Sequence, residues 1–125
     1  MPHPRPDYRS RSFAFACDIV RLYKTLGPSV PAPLARQLLR AGTSIGANLE
    51  EAKTAQSRRD LIARFSIALK EARETSYWLR LLSATSLAPT ALIDAPLAEA
   101  NELIAILTTS VRKLKEPEGH RPRGT

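Results

Sequence analysis

Carboxylates and histidines together build the metal sites of many helical enzymes. The pair Glu50–Glu51 and the pair of Glu71 and Glu74 are close enough in sequence to suggest a di-metal carboxylate site. In helical bundles such a site also takes Glu-x-x-His motifs from two of the helices. The two histidines, His3 and His120, lie near the chain ends, away from these glutamates. The sequence therefore predicts no metal site and no cofactor.

Nucleophiles and phosphate-binding loops are equally scarce. The single cysteine, Cys17, has no histidine near it in sequence that would favour a reactive thiolate. There is no Walker loop and no G-x-G-x-x-G motif after a strand, since Gly42 and Gly46 fall inside a predicted helix. We therefore expect a protein that is not an enzyme.

Cations on the third predicted helix indicate a different chemistry, the binding of phosphate. At about 100° per residue, one side of this helix carries a set that we call the basic stripe: Arg59, Lys70, Arg73, Tyr77 and Arg80. Cations spread over roughly 30 Å can follow a phosphate backbone, and Tyr77 can stack on a base. The alternative is an ordinary solvated face with ion pairs such as Lys70–Glu74.

The overall charge is compatible with both interpretations. The chain has 19 Lys+Arg and 12 Asp+Glu, a net charge of +7, and a pI of about 10.2. Such a balance favours an anionic partner, RNA or DNA before a membrane, although charge can also serve solubility alone.

A second face of the same helix is apolar. It carries Ile67, Trp78 and Leu81 beside Glu71 and Glu74. A helix that is apolar on two sides has two neighbours. Both can be helices of its own bundle, or one can be a second copy of the chain, because tryptophan is favoured at interfaces. The three apolar residues are therefore a candidate oligomer interface.

Four helices must position these side chains. The predicted spans are about 12–26, from 29–33 to about 52, about 58–84, and from Asp94 to just before Pro117. Ser57 is the predicted N-cap of the third helix. Asp94 is preferred to Thr90 as the N-cap of the fourth, because a start at Thr90 places Pro96 beyond the first turn. Short links between long helices predict an all-α, antiparallel up-down four-helix bundle.

The first two helices give more detailed expectations. The first has a periodic apolar stripe that is predicted to face the core. Its members are Phe13, Ala16, Ile19, Val20, Tyr23 and Leu26. In the second helix, Gly42 and Gly46 each cost about 1 kcal/mol relative to alanine, a cost that close approach of another helix can offset. Asn48 lies on the apolar seam and must find hydrogen-bond partners there.

The chain ends are predicted to lie outside the bundle. Residues 1–11 are expected to form a flexible basic tail, 12–115 the bundle and 116–125 a second flexible tail. No apolar run is long enough for a bilayer, and the first residues lack the apolar stretch of a secretory signal. We expect a cytoplasmic protein without a membrane partner.

Two motifs resemble a known family. They are R-A-G-T-S-I-G-A-N-L-E-E over residues 40–51 and F-S-I-A-L-K-E-A over residues 65–72. They are similar to the bacterial 23S ribosomal RNA intervening-sequence proteins, over roughly residues 12–115. The matching positions Arg40, Ser44, Asn48 and Glu51 are assigned to structure. The sequence departs from the commoner N-I-A-E-G ending of the motif, with N-L-E-E-A instead.

The resemblance implies a four-helix bundle that assembles as a ring-like homopentamer. It also implies a distant relationship to the accessory protein of diversity-generating retroelements, a basic pentamer that binds nucleic acid and its reverse transcriptase. The family has no accepted catalytic residues. The first hypothesis is thus a non-enzymatic homo-oligomer that binds RNA or DNA through basic helix faces. The second is a scaffold or adaptor that recognises another protein.

Overall fold

The computed structural model describes residues 7–117, and all regular structure in that range is helical. The helices are α1 (Tyr8–Thr25), α2 (Ala32–Ala52), α3 (Arg58–Ala84) and α4 (Thr90–Lys115). Each packs against the next along the chain, and α1 also packs, less extensively, against α4. Within the described range no Cα atoms of α1 and α3, or of α2 and α4, lie within 8 Å of each other. The predicted antiparallel up-down four-helix bundle is confirmed.

The start of α1 differs from the prediction. Asp7 is its N-cap, and its Oδ1 accepts hydrogen bonds from the N–H groups of Arg9 and Ser10 at 3.1 and 3.2 Å. The helix therefore begins four residues before the expected Ser12. Part of the segment expected to be a flexible tail is helical, and Tyr8 packs edge-on against Phe65, with 5.2 Å between ring centroids. The rest of the first predicted tail, and of the second beyond Pro117, lies outside the described residues.

The start of α4 also differs. The helix begins at Thr90 rather than after Asp94, with Pro96 inside it. Pro96 has no N–H for the helical hydrogen bond to the Leu92 carbonyl. The extra turn nevertheless places Ile93 in the core with no exposed surface. Burial of a whole isoleucine side chain contributes about 1.5–3 kcal/mol, which exceeds the net value of one hydrogen bond, about 0.5–1.5 kcal/mol.

The core draws on all four helices. Its largest fully buried apolar side chains are Phe15, Ile19, Leu38, Ile45, Leu49, Leu79, Leu82, Ile93, Leu103 and Leu107. The expected inward face of α1 was wrong in part, because Phe13 is 66% and Val20 42% exposed. Ile19 of the predicted stripe is fully buried, and the helix buries Phe15 and Leu22 beside it.

Helix α2 meets α1 through its glycines, as predicted. A Cβ atom at Gly42 would lie 2.8 Å from Cγ1 and Cγ2 of Ile19, and one at Gly46 would lie 3.3 Å from the carbonyl oxygen of Ser12. Asn48 also has the partners that its position requires. It donates to the Ser44 carbonyl at 2.9 Å and accepts from Arg64 of α3 at 3.3 Å.

Candidate nucleic-acid interface

The basic stripe lies on the side of α3 that points away from the core. The buried side of the helix includes Phe65, Ala68, Ala72 and Leu79. The four cations of the stripe are all exposed, and Tyr77 is 49% exposed. From Arg59 to Arg80 the stripe extends about 32 Å at 1.5 Å per residue. The five residues chosen from the sequence therefore share one accessible surface.

None of the stripe's cations forms an ion pair within the described residues, where salt bridges involve Arg11, Arg21 and Arg40. The Lys70–Glu74 pair, which an ordinary solvated face would contain, is not formed. Glu74 instead accepts hydrogen bonds from Arg40 and from Trp78. The positive charge of the stripe is thus not consumed by pairing along α3.

Tyr77 is held by its neighbours on α3. The Arg80 guanidinium lies over its ring, 5.8 Å from the centroid. The Trp78 ring meets it edge-on, with centroids 5.2 Å apart and planes 70° apart. Arg80 Nε also donates to the Ser76 hydroxyl at 3.4 Å. The aromatic ring and the nearest cation are therefore positioned together.

Two carboxylates border the stripe, and one arginine of α2 bonds both. Arg40 Nη1 lies 3.1 Å from Glu71 Oε1, and its Nη2 bonds Glu74. Trp78 Nε1 donates to Glu74 Oε2 at 2.9 Å. The hydrogen bond that Arg40 donates to Glu74 raises the pKa of Arg40 above its ordinary value. One guanidinium therefore offsets about half of the negative charge of the two carboxylates within the bundle.

Opposing effects act on the pKa of the Glu74 carboxyl. Burial by itself raises its pKa. Hydrogen bonds from Trp78 and Arg40, with the charges of Arg40 and Lys70, outweigh burial and hold the pKa below its ordinary value of 4.5. Glu74 therefore remains ionised at neutral pH and forms an ion pair with Arg40.

The three residues of the candidate oligomer face differ in how far the bundle itself buries them. Trp78 is half-buried, packs against the core and bonds Glu74. Arg40 of α2 bonds the glutamates beside it, so α2 is one neighbour of this face. Leu81 is half-buried, whereas Ile67 is 39% exposed. The protein's own bundle thus accounts for much of Trp78 and leaves Ile67 at the surface.

Sequence reasoning missed the connection between Arg40 and the glutamates of α3. Arg40 was assigned to structure without a partner, and Glu71 and Glu74 lie 31 and 34 residues further along the chain. No helical periodicity reports a contact at that separation. The available signal was that Arg40 and Glu71 belong to the two motifs that carry the family resemblance.

Metal-binding groupings are not found in the described part of the chain. Between Asp7 and Pro117, no three or more His, Cys, Asp or Glu residues come together where they could hold a metal ion. Both histidines lie outside that range. No helix in the same range is long and apolar enough to cross a bilayer.

Comparison with known proteins places the chain in a family. The family model described as 23S rRNA-intervening sequence protein matches residues 7–109. A search of curated proteins found no match. The chain is similar to a crystal structure of a protein of unknown function from the S23 ribosomal protein family of Bacteroides thetaiotaomicron. The two are 40% identical over 84% of this chain and 98% of that chain, with a TM-score of 0.79. This chain belongs to the 23S rRNA-intervening sequence protein family.

Proposed function

We propose that this protein is a non-enzymatic, cytoplasmic homo-oligomer that binds RNA or DNA through the basic stripe on α3. The observation that carries the proposal is the absence of any ion pair to the stripe's cations among the described residues. Glu71 and Glu74 lie on the same helix, but both are bonded to Arg40. Cations that are not paired within the protein are available to bind the phosphate groups of a nucleic acid.

The mode of binding follows from this arrangement. Exposed cations on one helix face neutralise phosphates and release counterions, which gives affinity without sequence preference. Each phosphate contact contributes about −0.7 to −0.9 to the slope of log affinity against log salt. The four cations of one stripe therefore predict a slope of roughly −3 per protomer.

Charge reversal in the stripe tests the proposal. In Arg73→Glu/Arg80→Glu, two phosphate contacts are lost and two repulsive charges are introduced. We expect affinity for nucleic acid at low salt to fall at least about tenfold, with a shallower salt slope, because about two contacts are missing. The measurement is fluorescence anisotropy of labelled oligonucleotides across a salt series.

The control carries the same change in net charge elsewhere. Lys24 on α1 and Arg36 on α2 are both exposed and lie outside the stripe. Lys24→Glu/Arg36→Glu is expected to keep most of the affinity and the wild-type slope. Equal losses in the two double variants would show that net charge, not the stripe, governs binding.

Self-association is the second part of the proposal, with Ile67, Trp78 and Leu81 as the interface. Ile67 gives the clearer test, because Trp78 also serves the bundle through Glu74. Ile67→Lys would place an unpaired charge in the contact, and we expect light scattering to report a smaller mass. Leu92→Lys is the control, since Leu92 has the same 39% exposure on α4. The homopentamer implied by the family resemblance is the expected wild-type assembly.

A protein-binding scaffold is the second candidate function, and the exposed face of α1 favours it. Phe13 and Val20 lie one above the other on that helix, 66% and 42% exposed. Apolar side chains grouped at a surface are typical of protein contacts. Recovery of one protein partner after nuclease treatment, together with no nucleic-acid binding at low salt, would support this alternative.

A further inference from the structure

Tyr77 is the aromatic residue of the basic stripe, and its setting carries an inference that rests on the proposed function. Half of the side chain is exposed. The Arg80 guanidinium over its ring and the Trp78 ring beside it restrict its position. An aromatic side chain held in place and accessible to solvent can stack on a partner at a small cost in conformational entropy.

Cations lie on both sides of this ring along the helix axis. Arg73 is four residues before Tyr77 and Arg80 three residues after it, about 6 Å and 4.5 Å away at 1.5 Å per residue. Both are exposed, and neither forms an ion pair within the described residues. Two phosphates of one strand can therefore be held on either side of the ring.

A duplex can use only part of this surface. Helix α3 is packed between α2 and α4, so only its outer side can approach a nucleic acid. A DNA duplex can meet this side through its phosphates or through base edges in the major groove, and the major groove of A-form RNA is too narrow for side chains. In either case the bases of a duplex stay stacked on each other, so none of them offers a free face to Tyr77.

A single strand can use the whole surface. Its bases are unpaired, and each has a face that can stack on an aromatic side chain. We propose that the basic stripe is a site for single-stranded nucleic acid, in which an unpaired base stacks on Tyr77 while Arg73 and Arg80 hold the flanking phosphates.

The test compares four labelled probes of equal length: oligouridine, oligothymidine, an RNA duplex and a DNA duplex. Anisotropy is measured at low salt with the full chain. We expect both single strands to bind more tightly than both duplexes. Tyr77→Leu should weaken single-strand binding roughly 5- to 100-fold and leave duplex binding unchanged. Tyr77→Phe, which keeps the ring, should retain wild-type affinity.

Different outcomes separate this inference from the proposed function. Equal affinity for single strands and duplexes, or unchanged single-strand affinity in Tyr77→Leu, overturns base stacking and leaves phosphate binding by the stripe intact. If the wild-type protein binds none of the four probes at low salt, the proposed function fails as well. Circular dichroism of each variant confirms that the bundle has folded.

Discussion

At the scale of single residues, Arg40 links the stability of the bundle to the charge of its surface. It joins α2 to Glu71 and Glu74 of α3, and its side chain is 46% exposed. Arg40→Ala should therefore lower the free energy of unfolding by only about 1 kcal/mol, the upper end for exposed pairs. It should also weaken nucleic-acid binding, because two uncompensated carboxylates would then border the stripe. Urea unfolding and anisotropy measure the two effects.

Arg36 supplies the matched control for Arg40. It is exposed on the same helix, one turn earlier. Arg36→Ala removes the same charge without uncovering the glutamates of α3, so we expect near wild-type stability and binding. Equal affinities for Arg40→Ala and Arg36→Ala would contradict the compensating role of Arg40.

The ion pair with Glu74 also predicts a dependence on pH. The pKa of Glu74 is lowered in the folded protein, so its contribution to stability is present above the ordinary value of 4.5 and is lost as the pH falls through the folded pKa. Glu74→Gln should be less stable than wild type at pH 7, and the two should converge in acid. Urea midpoints measured across this pH range test it; a constant difference would contradict the prediction.

At the scale of helices, the contact of α2 with α1 depends on Gly42. An alanine there would gain about 1 kcal/mol of helix propensity. Its Cβ would overlap the side chain of Ile19, which is fully buried, and such overpacking costs about 1–3 kcal/mol. We expect Gly42→Ala to be destabilising by up to about 2 kcal/mol in urea unfolding.

Gly27 is the control for this helix contact. A Cβ atom there meets nothing within 4 Å, and no glycine in the described residues has a positive φ. Gly27→Ala should therefore change stability by less than about 0.5 kcal/mol. If Gly42→Ala were as stable as Gly27→Ala, the close approach of α1 would not constrain this position.

Some features of the fold could be predicted from the sequence, and the contact between α1 and α2 shows why others could not. The number and order of the helices, and the Ser57 cap of α3, followed from periodicity and local capping. The inward face of α1 did not, because Phe13 and Val20 form one apolar stripe and Phe15 and Leu22 another. The choice depends on the fit of Ile19 and Ser12 against the glycines of α2. Periodicity within one helix carries no information about that fit.

The candidate site divides in a similar way. One helix supplies the whole basic stripe, so its residues could be grouped by angular position alone. The ion-pair partners of Glu71 and Glu74, which border the stripe, could not be predicted, because Arg40 reaches them from another helix. The local rule that pairs residues four apart favoured Lys70–Glu74, whereas Glu74 bonds Arg40 and Trp78.

At the scale of the whole molecule, assembly should multiply the charge that one nucleic acid meets. If several copies present their stripes to one long strand, the salt slope per assembly exceeds the roughly −3 of a single stripe. Ile67→Lys adds a cation near the stripe, which on its own would steepen the slope. If the variant is a monomer, the slope should nevertheless become shallower, because the stripes of the other copies are lost. Light scattering and a salt titration on a long single strand measure both quantities, and a steeper slope with a smaller mass would show that each stripe acts alone.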